Sequence, residues 1–466
     1  MNTLLLRPTD VLFFRDGRPM EGSLAGHGAA WPLPNVTDAA FHAALHRSGL
    51  AGHGHDHIQG GNRTNTDKRK YGSLVTGGPF PVRQLDGKCR WYFPRPLDLI
   101  DDSIKPGLAP TIAFDPALSS SLPDPLEYAV ANRLAPSKES SAPAWIPAEV
   151  YSRYLNATNI DGKKACGFRD DQIFDAEATI GIAIDPETGT TGQGDAAGKI
   201  YSARYLRLRD EWRLGVFAQT QEKSNDRGAA QGRFDLIPKL IGEKHHLLVG
   251  GQQRLCTAER LNGDTLPLPF GKSRDFPNSK SGNGKWRVKW VLLSPAIWPA
   301  IGEMSQSGRR MVPHNGGYLP NWVREEDGQV MLRSGKSLAR RYSGKATRGF
   351  EGEGEKIEAK LVAALVPKPL VITGWALADG IDRQDGGAKS AHLAVPAGAI
   401  YYFEANTEED AEKLAAVLNW HGDQTQPTTI VHRRSTLMGE KGFGLGVCGG
   451  WDFFPETADI PGHTSH

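Results

Sequence analysis

The sequence predicts an α+β protein of two halves, each planned as a β-α-β-β-α-β unit. Three observations lead there. An apolar strand at residues 3–6 is followed by a helical pattern in which Thr37 stands as N-cap and Phe41, Ala44, Leu45 and Ser48 share one face. Toward the other end, a strand within residues 395–404 runs into the clearest helix of the chain, capped by Thr407, with Ala411, Leu414, Ala415 and Leu418 at i, i+3, i+4 and i+7. A glycine loop and a further strand come after it. A polar break at residues 271–285 separates the two halves, so domains over residues 1–270 and 285–466 are expected.

The length of 466 residues is too great for one ordinary core and favours two or three domains. Gly 54 and Pro 31 occupy about 18% of positions against roughly 12% on average, which predicts many turns and irregular insertions. A net charge of +2 excludes global basicity, so any nucleic-acid contact must come from local clusters. One such cluster lies at residues 305–350, with nine Lys or Arg against three acids; a solvated loop explains it equally well. Cys89, Cys166, Cys256 and Cys448 form no C-x-x-C pair, which argues against a zinc ribbon and a disulfide scaffold and for a reducing cytoplasm. Three leucines before Arg7-Pro8 are too few for a signal-peptide core or a membrane span, and no membrane partner is expected.

In chain order, residues 11–19 carry an apolar run into an Asp-Gly turn flanked by Arg15 and Arg18. Cations there can meet phosphate or pair with neighbouring acids. The histidines at 53, 55 and 57, around Asp56, invite a metal test, but no apolar strand leads into them and a histidine-rich loop tip is expected. Residues 77–82 and 91–98 are extended and broken by prolines, the mark of an edge strand or a hairpin arm. Eight prolines at residues 101–150 predict an irregular insertion. Residues 180–184, a turn-rich 185–199 and the alternating 201–219 predict a long hairpin. Residues 245–254 pass from strand to paired glycines to Arg254, so Gly250, Gly251 and Arg254 form a candidate site of close backbone contact. Gly271-Lys272-Ser273 is not a nucleotide-binding loop, because Leu266 stands where a glycine is required. Strands are further predicted at 288–293 and 370–373.

The last candidate is the loop at residues 439–446. Gly439, Gly442, Gly444 and Gly446 permit positive φ and close approach of a ligand, while Lys441 and Phe443 offer a cation and a stacking face. A dinucleotide loop would have to open a strand-helix-strand unit of about thirty residues, which the twenty residues after Gly446 cannot hold. The loop is expected instead to present backbone N–H groups to a sugar-phosphate chain.

Taken in order, the motifs at 6–19, 31–35, 77–82, 93–98, 249–254, 372–375 and 396–403, with the terminal glycine loop, resemble one family over nearly the whole chain. It is the RAMP-superfamily subunit of the type III-B CRISPR effector, the Cmr complex, that adjoins the large cyclase/polymerase-like subunit. The resemblance implies two ferredoxin-like (RRM-like) RAMP domains, glycine-rich loops near guide RNA and a β-hairpin thumb. It implies binding of the crRNA 5′ handle, contact with the large subunit and a neighbouring RAMP backbone subunit, and neither catalysis nor a cofactor. Arg15, Arg18, Gly250, Gly251, Arg254, Lys441, Gly442, Phe443, Gly444 and Gly446 are then the expected RNA-binding residues. Gln252 and Gln253 depart from the pattern, which usually has an acidic residue after the paired glycines. Two other classes remain: a metal-independent endoribonuclease, with His27, His42 or His46 as the acid-base group, and a scaffold without RNA contact.

Overall fold

The computed structural model describes residues 1–14, 24–26, 31–48, 50, 73–111, 122–133, 142–156, 166–182, 184–185, 187–191, 200–223, 233–242, 246–278, 284–303, 313–335, 354–376 and 387–453. Two antiparallel sheets dominate it, in keeping with the predicted α+β class.

The first sheet uses β1 (Asn2–Pro8), β2 (Val75–Leu85), β3 (Lys88–Pro94), β4 (Trp145–Pro147), β7 (Trp212–Gln219), β8 (Leu247–Leu248) and β9 (Leu255–Leu261). Its order is β8-β9-β1-β7-β2-β3-β4. Every neighbouring pair is antiparallel. Helix α1 (Pro34–Ser48) follows β1, α2 (Ala148–Asn156) follows β4, and a short helix, Ile237–Gly242, precedes β8. Alternation along β1 sorts its leucines: Leu4 and Leu6 face Phe41, Leu45 and Leu240, while Leu5 faces the opposite layer. The expected cap is displaced. Pro34, whose missing N–H costs nothing at a first helical position, opens α1, and Thr37 lies a turn inside, donating to the Pro34 carbonyl at 3.0 Å.

Two other expectations shift. β2 is a hairpin arm with β3, yet it lies inside the sheet, and its prolines coincide with a register irregularity opposite Gly215 and Phe217. The long hairpin has its arms at β5 (Phe174–Ile182) and β6 (Ile200–Leu208); β7 belongs to the main sheet instead. The Asp210-Glu211 turn, where the Trp212 N–H donates to the Arg209 carbonyl at 2.8 Å, divides what reads as one continuous run.

The second sheet has the order β11-β12-β10-β13, formed by β10 (Trp286–Leu292), β11 (Ala359–Leu365), β12 (Ile400–Ala405) and β13 (Gly446–Gly450), all antiparallel. Helix α3 (Glu408–Leu418) covers one face, its N-cap Thr407 accepting from the Asp410 N–H. β11 was not predicted, and residues 370–372 pair separately with residues 392–394.

Three cores follow. One joins the first sheet to α1, one joins the second sheet to α3, and a third, containing Leu5, Phe80, Trp91, Phe217, Val291, Tyr402 and Val447, fills the space between the sheets. Helices α1 and α3 therefore lie outside, while α2, with Tyr151, Tyr154 and Leu155 buried, packs in the layer between the two sheets. No helix among the described residues is long and apolar enough to cross a membrane.

Candidate functional site

Where β8 turns into β9, the chain passes Gly250 at φ +80°, then Gln252 at +57° and Gln253 at +54°. Two consecutive non-glycine residues in the left-handed region cost on the order of 1–2 kcal/mol each, so the turn is held by its surroundings. The Gly251 N–H donates to the Phe13 carbonyl at 2.9 Å, and the Val249 N–H to the Arg254 carbonyl at 2.9 Å. A Cβ on Gly250 would stand 2.4 Å from the Phe13 carbonyl oxygen, so here only glycine fits. All four residues of the turn, 250–253, are exposed.

Beside the turn stands the foot of the β5–β6 hairpin. The Arg254 guanidinium lies 5.1 Å over the Tyr205 ring, and Phe13 tilts against the same ring at 5.5 Å. Tyr205 donates from Oη to Gln252 Oε1 at 2.9 Å, and Arg254 Nη2 donates to the same oxygen at 3.3 Å. Asp10 bridges Arg207 at 3.0 Å and Arg254 at 3.5 Å, and Arg207 also pairs with Glu177. Cations, an aromatic face and exposed backbone thus meet on one surface, the combination that suits a phosphate chain with unpaired bases.

The glycine loop is a different object from the one expected. A 3₁₀ turn, Gly439–Lys441, leads into a segment that is buried from Gly442 to Gly449. Phe443 is fully buried against Ile297, Ile372 and Ala394, so it has no face for a base. Gly444, at φ +76°, would bring a Cβ to 2.1 Å from the Ser435 nitrogen, and Gly446 one to 2.2 Å from Trp290 Nε1. Gly442, at φ +96°, packs against Gly77 of β2. These glycines admit protein neighbours rather than a ligand, which corrects Gly442, Phe443, Gly444 and Gly446 as surface contacts. Of the loop's candidate RNA-binding residues, Lys441 alone retains partial exposure, 33% of its side chain, and lies 3.4 Å from Asp38 of α1. Burial pushes the Asp38 carboxyl up to about 6, and the Lys441 ammonium acts in the opposite direction.

Among the predicted residues, then, the structure brings Gly250, Gly251 and Arg254 together on an exposed turn and sets Lys441 against α1. Arg15 and Arg18, with His27, the histidines at 53–57 and seven of the nine cations of the basic stretch, lie outside the described residues. His42 and His46 meet edge to face on α1, with their planes inclined at 70° and ring nitrogens 3.3 Å apart. Sequence reasoning missed Asp10, Tyr205, Gln252 and Asp38. Tyr205 carried a signal, an aromatic standing among arginines on the polar side of an alternating strand.

A family model described as CRISPR-associated protein (Cas_Cmr3) matches residues 4–451, from the first strand of the first sheet to the last strand of the second. The class is thus that of CRISPR-associated proteins. Within it, the chain belongs to the Cas_Cmr3 family. Solved structures similar to the chain include a cryo-EM structure of the type III-B Cmr-beta bound to cognate target RNA and AMPPnP, at 13% identity and a TM-score of 0.32, covering 86% of each chain. Another is the same assembly bound to cognate target RNA, at 14% identity and 0.32, again covering 86% of each chain. A third is a Csm3–Csm4 subcomplex of the type III-A interference complex, at 9% identity and 0.30, covering 87% of this chain and 93% of that one. No curated protein matches.

Proposed function

We propose that this chain is a non-catalytic, crRNA-binding subunit of a cytoplasmic type III-B effector complex, which recognises the crRNA 5′ handle and docks the large cyclase/polymerase-like subunit beside a neighbouring RAMP backbone subunit. Membership of the Cas_Cmr3 family supports the complex. The observation that carries RNA contact is the exposed turn at Gly250 and Gly251 with Arg254 stacked on Tyr205. In the same proposal residues 1–270 and 285–466 are two ferredoxin-like RAMP domains. The strand orders β9-β1-β7-β2 and β13-β10-β12-β11 support it, being the 4-1-3-2 arrangement of a β-α-β-β-α-β unit. The β5–β6 hairpin is the thumb that separates handle from guide, and Arg15, Arg18 and Lys441 contribute further cations.

The test is titration of handle RNA with the purified chain at several salt concentrations. Each phosphate contact removed from a single strand should lower the salt slope by about 0.7. Arg254→Ala and Lys441→Ala should each weaken binding and flatten that slope. Unchanged affinity and slope in the double variant would remove these cations from the RNA interface.

A further inference from the structure

Among the described residues, the side-chain amide of Gln252 is pinned at one end only. An arginine has donors and no acceptor, so the atom facing Arg254 Nη2 must be the amide oxygen, and Tyr205 Oη donates to that same oxygen. A carbonyl oxygen has two lone pairs, and both are now engaged. The amide nitrogen, with its two N–H groups, is the end left to meet a ligand. Gln252 is exposed, and its left-handed backbone at φ +57° is fixed by the Gly251–Phe13 and Val249–Arg254 hydrogen bonds. Arg254, whose side chain keeps 28% exposure, supplies the neighbouring planar group on which a base can stack.

We infer that Gln252 is a specificity-determining residue, which reads one unpaired base of the bound RNA by donating from its amide nitrogen and therefore selects a base edge that offers acceptors. An amide normally recognises adenine through both ends, accepting from the exocyclic amine and donating to N7. With its oxygen occupied, Gln252 cannot accept. At the exocyclic 6- or 4-position of the base, adenine and cytosine, which present an amine there, are disfavoured; guanine and uracil, which present a carbonyl there, are favoured. Tyr205 and Arg254 are positioning residues for that amide. The inference rests on the RNA-binding reading above.

The experiment uses the full chain and a fluorescent single-stranded handle RNA in which each nucleotide is exchanged, one at a time, between carbonyl-bearing and amine-bearing bases. At one handle position the wild type should prefer the carbonyl base by about tenfold. Gln252→Leu should flatten the preference at that position alone, and Gln252→Glu, which substitutes an acceptor for the donor end, should reverse it. Gln252→Gly, which suits the positive φ, checks that the flattening follows from the missing amide rather than from a strained turn. A preference that survives Gln252→Leu and Gln252→Gly overturns the inference, as does handle binding without any position sensitive to Gln252. A wild-type chain that binds no handle RNA overturns the RNA-binding reading as well, so the two failures are distinguishable.

Discussion

Asp38 and Lys441 couple one turn of α1 to the glycine loop more than four hundred residues away, and the coupling is readable by pH. Burial raises the Asp38 carboxyl to about 6 from an ordinary value near 3.8. A raised acid favours the folded state while it is protonated. Its contribution is therefore full below pH ~4 and is lost as pH rises through ~6. Two pK units correspond to roughly 3 kcal/mol as an upper bound. Asp38→Asn should stabilise the chain above pH 7 by up to that amount and flatten its stability between pH 4 and 6, measured by urea denaturation across pH. A wild type and variant with parallel profiles would show that Asp38 is not perturbed. Phe443→Ala gives the contrasting test of the same loop. Emptying a fully buried aromatic site should cost about 3–5 kcal/mol in the same assay, where Lys441→Ala costs under 1. The sequence showed that residues 439–446 needed glycine but not why. The positive φ of Gly442 and Gly444 is legible from residue type, whereas Trp290 and Ser435 as the neighbours that exclude a side chain at Gly446 and Gly444 are set by packing.

At the scale of elements, the β5–β6 hairpin changes character along its length. Phe174 and Leu206 at its foot are buried in the core of the first sheet, while Ile180, Ile182 and Ile184 toward its far end are 76%, 57% and 63% exposed. Ladder pairing puts Phe174, Ile180 and Ile182 on one face, so the apolar stripe continues past the point where the protein's own core ends. Exposed apolar stripes of this kind mark contact surfaces. Ile180→Ser with Ile182→Ser should leave thermal unfolding within about 0.5 kcal/mol per site of the wild type. It should reduce co-elution with the neighbouring backbone subunit and crRNA on size exclusion; undiminished co-elution would remove the stripe from the assembly. Alternation makes this hairpin visible in the sequence, but the predicted first arm starts late, and the second runs too far because the strand pattern resumes in β7 directly after the turn at Asp210-Glu211. β11, Ala-Lys-Leu-Val-Ala-Ala-Leu, was missed for the opposite reason. Its alanines have little strand preference, and only pairing with β12 and burial between two cores make it a strand.

Across the whole molecule, the layer between the sheets contains a buried charge. Lys289 of β10 donates from Nζ to Asp98 at 2.9 Å and to Tyr154 Oη at 2.7 Å, and Tyr154 in turn donates to the Asp98 carboxylate at 2.6 Å. All three side chains are almost without exposure, and burial lowers the lysine from its ordinary value. The lysine interrupting the apolar run at 288–293 is plain in the sequence. Its partner Asp98, 191 residues earlier, is not, because no local pattern encodes a contact made only when two sheets face each other. The energetic consequence is asymmetric. Removing one partner strands a charge in a dry layer and costs about 3–5 kcal/mol, whereas replacing the pair by apolar groups of similar size is often neutral or stabilising. Lys289→Met and Asp98→Leu should each destabilise the chain by that order in guanidinium denaturation, and the double variant should recover most of the loss. Because the same layer also carries the shared apolar core of Leu5, Phe217, Val291 and Val447, both halves should lose structure in one transition in the single variants. Two separated transitions in Lys289→Met, or additive losses in the double variant, would show that the charge cluster does not couple the two sheets.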